Sequence, residues 1–187
     1  MKKIFFSVLL LLFFGSGFSQ SQKQEEICYN PNLVKDTTKK SIKSMAVGII
    51  GGDSIKINYH SPGVRGRIIW GGLVPFGEVW VTGAHDATNI IVERPFIING
   101  KEIPAGKYAF FTIPGKDTWT IIINKQWKQH LATEYDEKED VVRVNVKPKK
   151  NGHTERLQYF VEAGKGREGK IAMAWEKIKI ELPITLH

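Results

Sequence analysis

Hydrophobic and polar positions alternate along much of this chain with a period of two. Ile55, Ile57 and Tyr59 fall on one side of an extended run and Lys56, Asn58 and His60 on the other, which predicts a strand with one buried face and His60 turned outward. The same alternation sets Val142, Val144 and Val146 against Arg143, Asn145 and Lys147, and Ile178, Ile180 and Leu182 against Lys177, Lys179 and Glu181. Glycine, proline and asparagine separate these runs, and only Gln126 to Glu139 carries a trace of helical spacing. Asn99-Gly100 and Asn151-Gly152 predict tight hairpins, because both turn residues must take positive φ there. Pro114-Gly115-Lys116-Asp117 marks another turn, between Tyr108 to Ile113 and Trp119 to Asn124. About nine strands fit after Ile42, with no crossover helices to cover a parallel sheet. The expected fold is therefore all-β, an antiparallel two-sheet sandwich or jelly-roll-like barrel.

The first residues depart from this pattern. Lys2 and Lys3 precede an apolar run from Ile4 to Phe14, broken by Ser7 and closed by Gly15-Ser16-Gly17. That layout predicts a signal peptide over residues 1–19, since the run is too short for a bilayer-spanning helix. A polar, aperiodic stretch follows and predicts a flexible leader over residues 20–41, leaving 42–187 as one domain. The 42% hydrophobic and 11% aromatic content excludes a disordered chain. The lone cysteine, Cys28, lies beyond the cleavage point, so it can supply neither a lipid anchor there nor an internal disulfide. The mature protein is expected to be periplasmic or secreted, with no transmembrane anchor.

Charge refines the choice of partner. The formal net charge is +8 and stays positive when Lys2 and Lys3 are removed. The basic clusters, Lys147 to Lys150 and Lys165 to Lys170, sit at turn-like breaks without interleaved aromatics. They read as solvated turns and not as a nucleic-acid surface, so nucleic acid is not an expected partner. A small anionic or glycan ligand stays open.

The segment Ser61 to Thr88, SPGVRGRIIWGGLVPFGEVWVTGAHDAT, is dense in glycine, aromatic and polar residues and poor in alternation. Glycine lets backbone approach a ligand, and loops on a rigid sandwich commonly carry binding residues. Arg65 and Arg67 could grip an anion with their guanidinium forks beside Trp70. Trp80, His85 and Asp86 complete the candidate ligand-binding set. The alternative is a structural loop that tucks Trp70, Phe76 and Trp80 into the core and pins its arginines to carbonyls.

In this segment, with its RGR, GGLVPFG, VW and TGA elements, and again at GKYAFFTIPGKDTWTIIINK, the sequence resembles the bacterial family called domain of unknown function 2911. The resemblance spans about Ile42 to Ile184 and implies a secreted or periplasmic β-domain with no established activity. Two departures stand out. Where the family tends to show W-R-T-G-A-N, this chain has Trp80-Val81-Thr82-Gly83-Ala84-His85, and a common tryptophan-glycine becomes Trp127-Lys128.

Catalytic chemistry has weaker signals. His60, His85, His130 and His153 lack the H-E-x-x-H spacing that predicts zinc, so no metal site and no cofactor is expected. Glu78, Asp86 and Glu93 are acid–base candidates with His85 as a possible base, but no G-x-S-x-G elbow presents a serine nucleophile. The leading expectation is a binding module for a small polar, anionic or glycan ligand of the cell envelope. The alternatives are an envelope- or polysaccharide-directed hydrolase or lyase using His85 and Asp86, and a structural or interaction protein of the envelope. Catalytic residues are not assignable from the sequence.

Overall fold

The structure is a computed structural model, which describes residues 27–35 and 38–187. The expected signal peptide, 1–19, lies outside the described residues. Ten strands form two antiparallel sheets. The larger holds β1 (Ser41–Ile50), β2 (Asp53–Pro62), β3 (Asn89–Val92), β6 (Gly106–Ile113), β7 (Trp119–Asn124) and β8 (Asp140–Val146), in the order β1-β2-β3-β6-β7-β8. The smaller holds β4 (Phe96–Ile98), β5 (Lys101–Ile103), β9 (Lys149–Ala163) and β10 (Glu168–Leu186), in the order β5-β4-β10-β9. The sheets face each other as an open sandwich and do not close into a barrel. Among the described residues no helix is long and apolar enough to cross a membrane.

The alternating runs bury the faces their pattern predicts. Ile55, Ile57 and Tyr59 point into the core, while Lys56, Asn58 and His60 stay partly exposed. β6 and β7 differ: Tyr108, Ala109, Phe110 and Phe111 are all buried in succession, as are Ile121, Ile122 and Ile123. Phe110, Ile121 and Ile123 enter the main core between the sheets, whereas Ala109, Phe111 and Ile122 join Val81 and Ala87 in a second, smaller core. A strand buried on both faces reads as an unbroken apolar run. The second core exists because two loop segments, around 79–88 and 126–135, cover the outer face of the larger sheet.

Asn99 and Gly100 take positive φ, 49° and 78°, and join β4 to β5 in the expected hairpin. The Pro114 to Asp117 turn joins β6 to β7. Asn151-Gly152, in contrast, is no hairpin. It lies inside β9, where Asn151 Nδ2 donates to Thr154 Oγ1 at 3.0 Å, and the pairing with β10 shifts register around Glu176, whose φ is 54°. β8 and β9 belong to different sheets, so the chain passes between layers at Lys147-Pro148 and leaves the Asn-Gly pair to be absorbed into an irregular strand. Gln126 to Glu139 forms no α-helix, only a coil ending in a 3₁₀ turn at Glu137–Glu139. β1 passes close to β9: a Cβ added at Gly48 would lie 2.5 Å from Val161 Cβ.

Part of the segment before β1 packs against the domain. Cys28 bridges Ser44, with its N–H donating to Lys43 O at 3.1 Å and its carbonyl accepting from Met45 N at 2.9 Å. Asn32 Nδ2 donates to Arg156 O and to Gln158 Oε1, both at 2.9 Å.

Candidate functional site

The glycine-rich segment splits between three places. Arg67 turns back on its own loop, donating from Nε to Val64 O at 3.2 Å and from Nη2 to Gly63 O at 2.5 Å. Arg65 sits at φ 51°, with its N–H donating to Glu155 Oε1 at 2.8 Å. Trp70 and Trp80 enter the interior, where they meet Trp175, and Trp70 also meets Trp119, at ring-centroid distances of 4.8–5.9 Å. Phe76 does not follow them and remains 38% exposed. These arginines and tryptophans therefore do not form one cleft with His85 and Asp86.

His85 and Asp86 belong to a different constellation. The loop that carries them is held in a strained conformation, with φ of 51° at Thr82 and 60° at His85. Positive φ at a β-branched residue is a true outlier and needs compensation. Thr82 receives it: fully buried, it pairs with Thr112 Oγ1 at 3.0 Å, and its carbonyl accepts from Tyr159 Oη at 2.9 Å and Thr88 Oγ1 at 3.0 Å. The facing segment is strained too, at Leu131 with φ 58°. Two backbone bonds stitch the segments together, Leu131 N–H to His85 O at 2.7 Å and Ala87 N–H to Gln129 O at 2.9 Å. Strain of this kind gathers where a site is shaped.

Beside that seam opens a cleft of about 660 Å³, a size that suits a small-molecule ligand. β2 and β3 supply Asn58 and Asn89, register partners whose side chains bond at 3.1 Å. His60 lies further along β2, Lys107 comes from β6, and Lys43 and Ser44 come from β1. Trp127, Lys128, Gln129, His130 and Glu134 form the wall folded over the sheet, and Ile27 closes the side next to β1. Gln129 is buried, and its Oε1 has no hydrogen-bond partner among the described residues. Such an acceptor is costly unless something donates to it. Lys107 Nζ lies 3.7 Å from the centroid of the Trp127 ring, and burial pulls the lysine pKa below its ordinary value.

Three imidazoles meet at the mouth. The His85 ring stands edge-on to His60 at 5.3 Å and roughly parallel to His130 at 6.3 Å. His85 Nε2 is 2.9 Å from Ser41 Oγ, and His130 Nδ1 is 3.3 Å from Asp86 Oδ1. The His130–Asp86 pair is about two-thirds exposed on both sides, so its net energy is small. Among the described residues no group of three or more His, Cys, Asp or Glu side chains has the arrangement to hold a metal ion. His153 is remote, beside Glu155 on β9 at 3.3 Å. Glu93 pairs with Lys56 at 3.4 Å and Glu78 is exposed away from the cleft.

Lys43, Asn58, Asn89, Lys107, Trp127 and Gln129 escape a reading of the sequence alone, because they come from distant strands. One signal was present: Trp127 is the only large apolar side chain in Lys125-Gln126-Trp127-Lys128-Gln129-His130, although a lone tryptophan in a polar run does not by itself mark a site. Residues 41–184 match the family model described as protein of unknown function (DUF2911). No curated protein and no solved structure matches the chain.

Proposed function

The chain belongs to the DUF2911 family, and from that premise, which brings no activity with it, we propose that this protein is a binding module for a small polar ligand. The ligand occupies the cleft between the outer face of the larger sheet and the 126–135 wall. The observation that carries this reading is the buried Gln129 Oε1, unpartnered among the described residues, beside a 38%-exposed Trp127 in one cleft. An amphipathic platform next to an unmet acceptor suits a ligand with a flat apolar face and hydroxyl donors. The basic, apolar start of the sequence supports export, which would place this binding in the periplasm or outside the cell.

The test is a calorimetric screen of the purified chain from Gln20 onward against small sugars, sugar acids and other polar metabolites. Hits are expected to lose at least about tenfold in affinity in Trp127→Ala, because stacking on one aromatic contributes an amount of that order. Hits indifferent to Trp127→Ala, or a screen without hits, would remove the cleft as the binding site. The His130–Asp86 pair at the mouth favours a second reading, an envelope-directed hydrolase with these groups in acid–base roles. Bond cleavage in the same screen that is lost in Asp86→Asn would select it.

A further inference from the structure

Three lysines approach the cleft from three directions: Lys43 from β1, Lys107 from β6 and Lys128 from the wall. Among the described residues none has a carboxylate within ion-pair distance. Two acids also line the cleft, but neither Asp86, which lies 3.3 Å from His130 Nδ1, nor Glu134 reaches any of the three lysines. The smaller sheet shows the contrasting arrangement. There Lys149, Lys170 and Lys179 crowd together, and Glu162 and Glu181 pair with them throughout.

Lys107 makes the difference consequential. Its ammonium is partly withdrawn from water and rests on the Trp127 ring, with no anion among the described residues in reach to repay the lost hydration. A desolvated cation without a counter-charge is unfavourable, and a bound anion relieves it. The indole offers the rest of such a ligand a flat face, while Asn58, Asn89 and the Gln129 acceptor offer hydrogen bonds suited to hydroxyls.

Resting on the binding reading above, we infer that the ligand is an acidic saccharide, held with its carboxylate among Lys43, Lys107 and Lys128 and a sugar ring on Trp127. Inorganic anions would satisfy the lysines but leave the indole and Gln129 unused. A neutral sugar would use those two and leave Lys107 uncompensated.

Trigalacturonic acid and its fully methyl-esterified form separate these cases, since esterification removes the charge and leaves the sugar rings and their hydroxyls unchanged. Titration calorimetry at low ionic strength is expected to show the acid binding at least about tenfold more tightly than the ester. That preference should shrink as salt is raised and vanish in Lys43→Met, Lys107→Met, Lys128→Met. Lys128→Met alone, at an exposed position, gives a partial loss in a chain whose fold is not in question. Equal affinity for acid and ester overturns the inference and leaves the binding module standing. So does an acid preference that survives the triple variant with its circular dichroism intact. Failure of both forms to bind also overturns it, and the module itself falls only when the wider screen yields nothing that depends on Trp127.

Discussion

At the scale of the residue, the site is shaped by side chains in places their chemistry resists. Thr82, His85 and Leu131 all take positive φ, where a side chain crowds the backbone and only glycine, asparagine and aspartate are comfortable. Thr82 is held by a buried hydroxyl and carbonyl network, but His85 is exposed and has one side-chain bond, to Ser41. Its substitution should therefore follow backbone preference. His85→Asn is expected to leave stability unchanged or raise it by up to about 1 kcal/mol, and His85→Val to lower it by about 1–2 kcal/mol. Urea denaturation measures both, and an equal effect of the two substitutions would show that the ring contacts with His60 and His130 govern this position instead.

At the scale of the element, the polar clusters decide where segments sit. Gln126 to Glu139 is kept from closing into a helix by competition from its neighbours. Buried Asn124 donates to Asp136 O at 3.0 Å and Asp140 Oδ1 at 2.7 Å, and accepts from Gln126 N–H at 2.8 Å. Tyr135 Oη donates to Asp140 Oδ2 at 2.6 Å, and burial first, then this carboxylate, pushes its pKa up to about 12. These bonds drape the segment over the sheet as the wall of the cleft. On the smaller sheet, β9 and β10 are tied by lysines around Glu181, whose carboxyl is lowered from 4.5 to about 2, first by Lys149 and then by Lys170 and Lys179. A depressed folded-state pKa contributes stability that is present above the unfolded value and disappears as pH falls through the folded one. Thermal scans should thus show stability falling from about pH 4.5 towards pH 2, and Glu181→Gln should lower the melting temperature at pH 7 while flattening that acid limb. An unchanged acid limb in the variant would assign the fall to other carboxylates.

At the scale of the whole molecule, four tryptophans hold the layers together. Trp119 on β7 and Trp175 on β10 belong to opposite sheets, and Trp70 touches both, at 4.8 Å and 5.7 Å. The indole N–H groups of Trp70 and Trp175 are buried with no partner among the described residues, while Trp80 Nε1 donates to Gly83 O at 3.0 Å, so the centre of the cluster holds by packing and ring contact and only its Trp80 edge by a hydrogen bond. Trp119→Ala would empty the centre of the sandwich. The expected cost is about 3–5 kcal/mol by chemical denaturation, and a loss below 1 kcal/mol would mean that the cluster collapses to fill the space. With no disulfide among the described residues, this interior bears the stability of the domain.

Period-two alternation fixed the strands, because burial of one face acts on each residue independently of the rest of the chain. Asn99-Gly100 and the Pro114 turn were legible for a similar reason, since a few adjacent residues set their geometry. The doubly buried strands were not legible in their roles: nothing local tells Phe110, which faces the main core, from Phe111, which faces the second. The candidate site was half visible. His85 and Asp86 stood out by composition, but beside them Arg67 went to loop pinning, Trp70 and Trp80 to the core and Arg65 to the side of Glu155, because neighbours in sequence diverge once a loop crosses the sandwich. Lys43, Asn58, Lys107 and Trp127 meet only through pairing between distant strands and a wall folded back over the sheet. Tertiary structure alone decides that convergence, because a cleft is made of long-range contacts that no local pattern encodes.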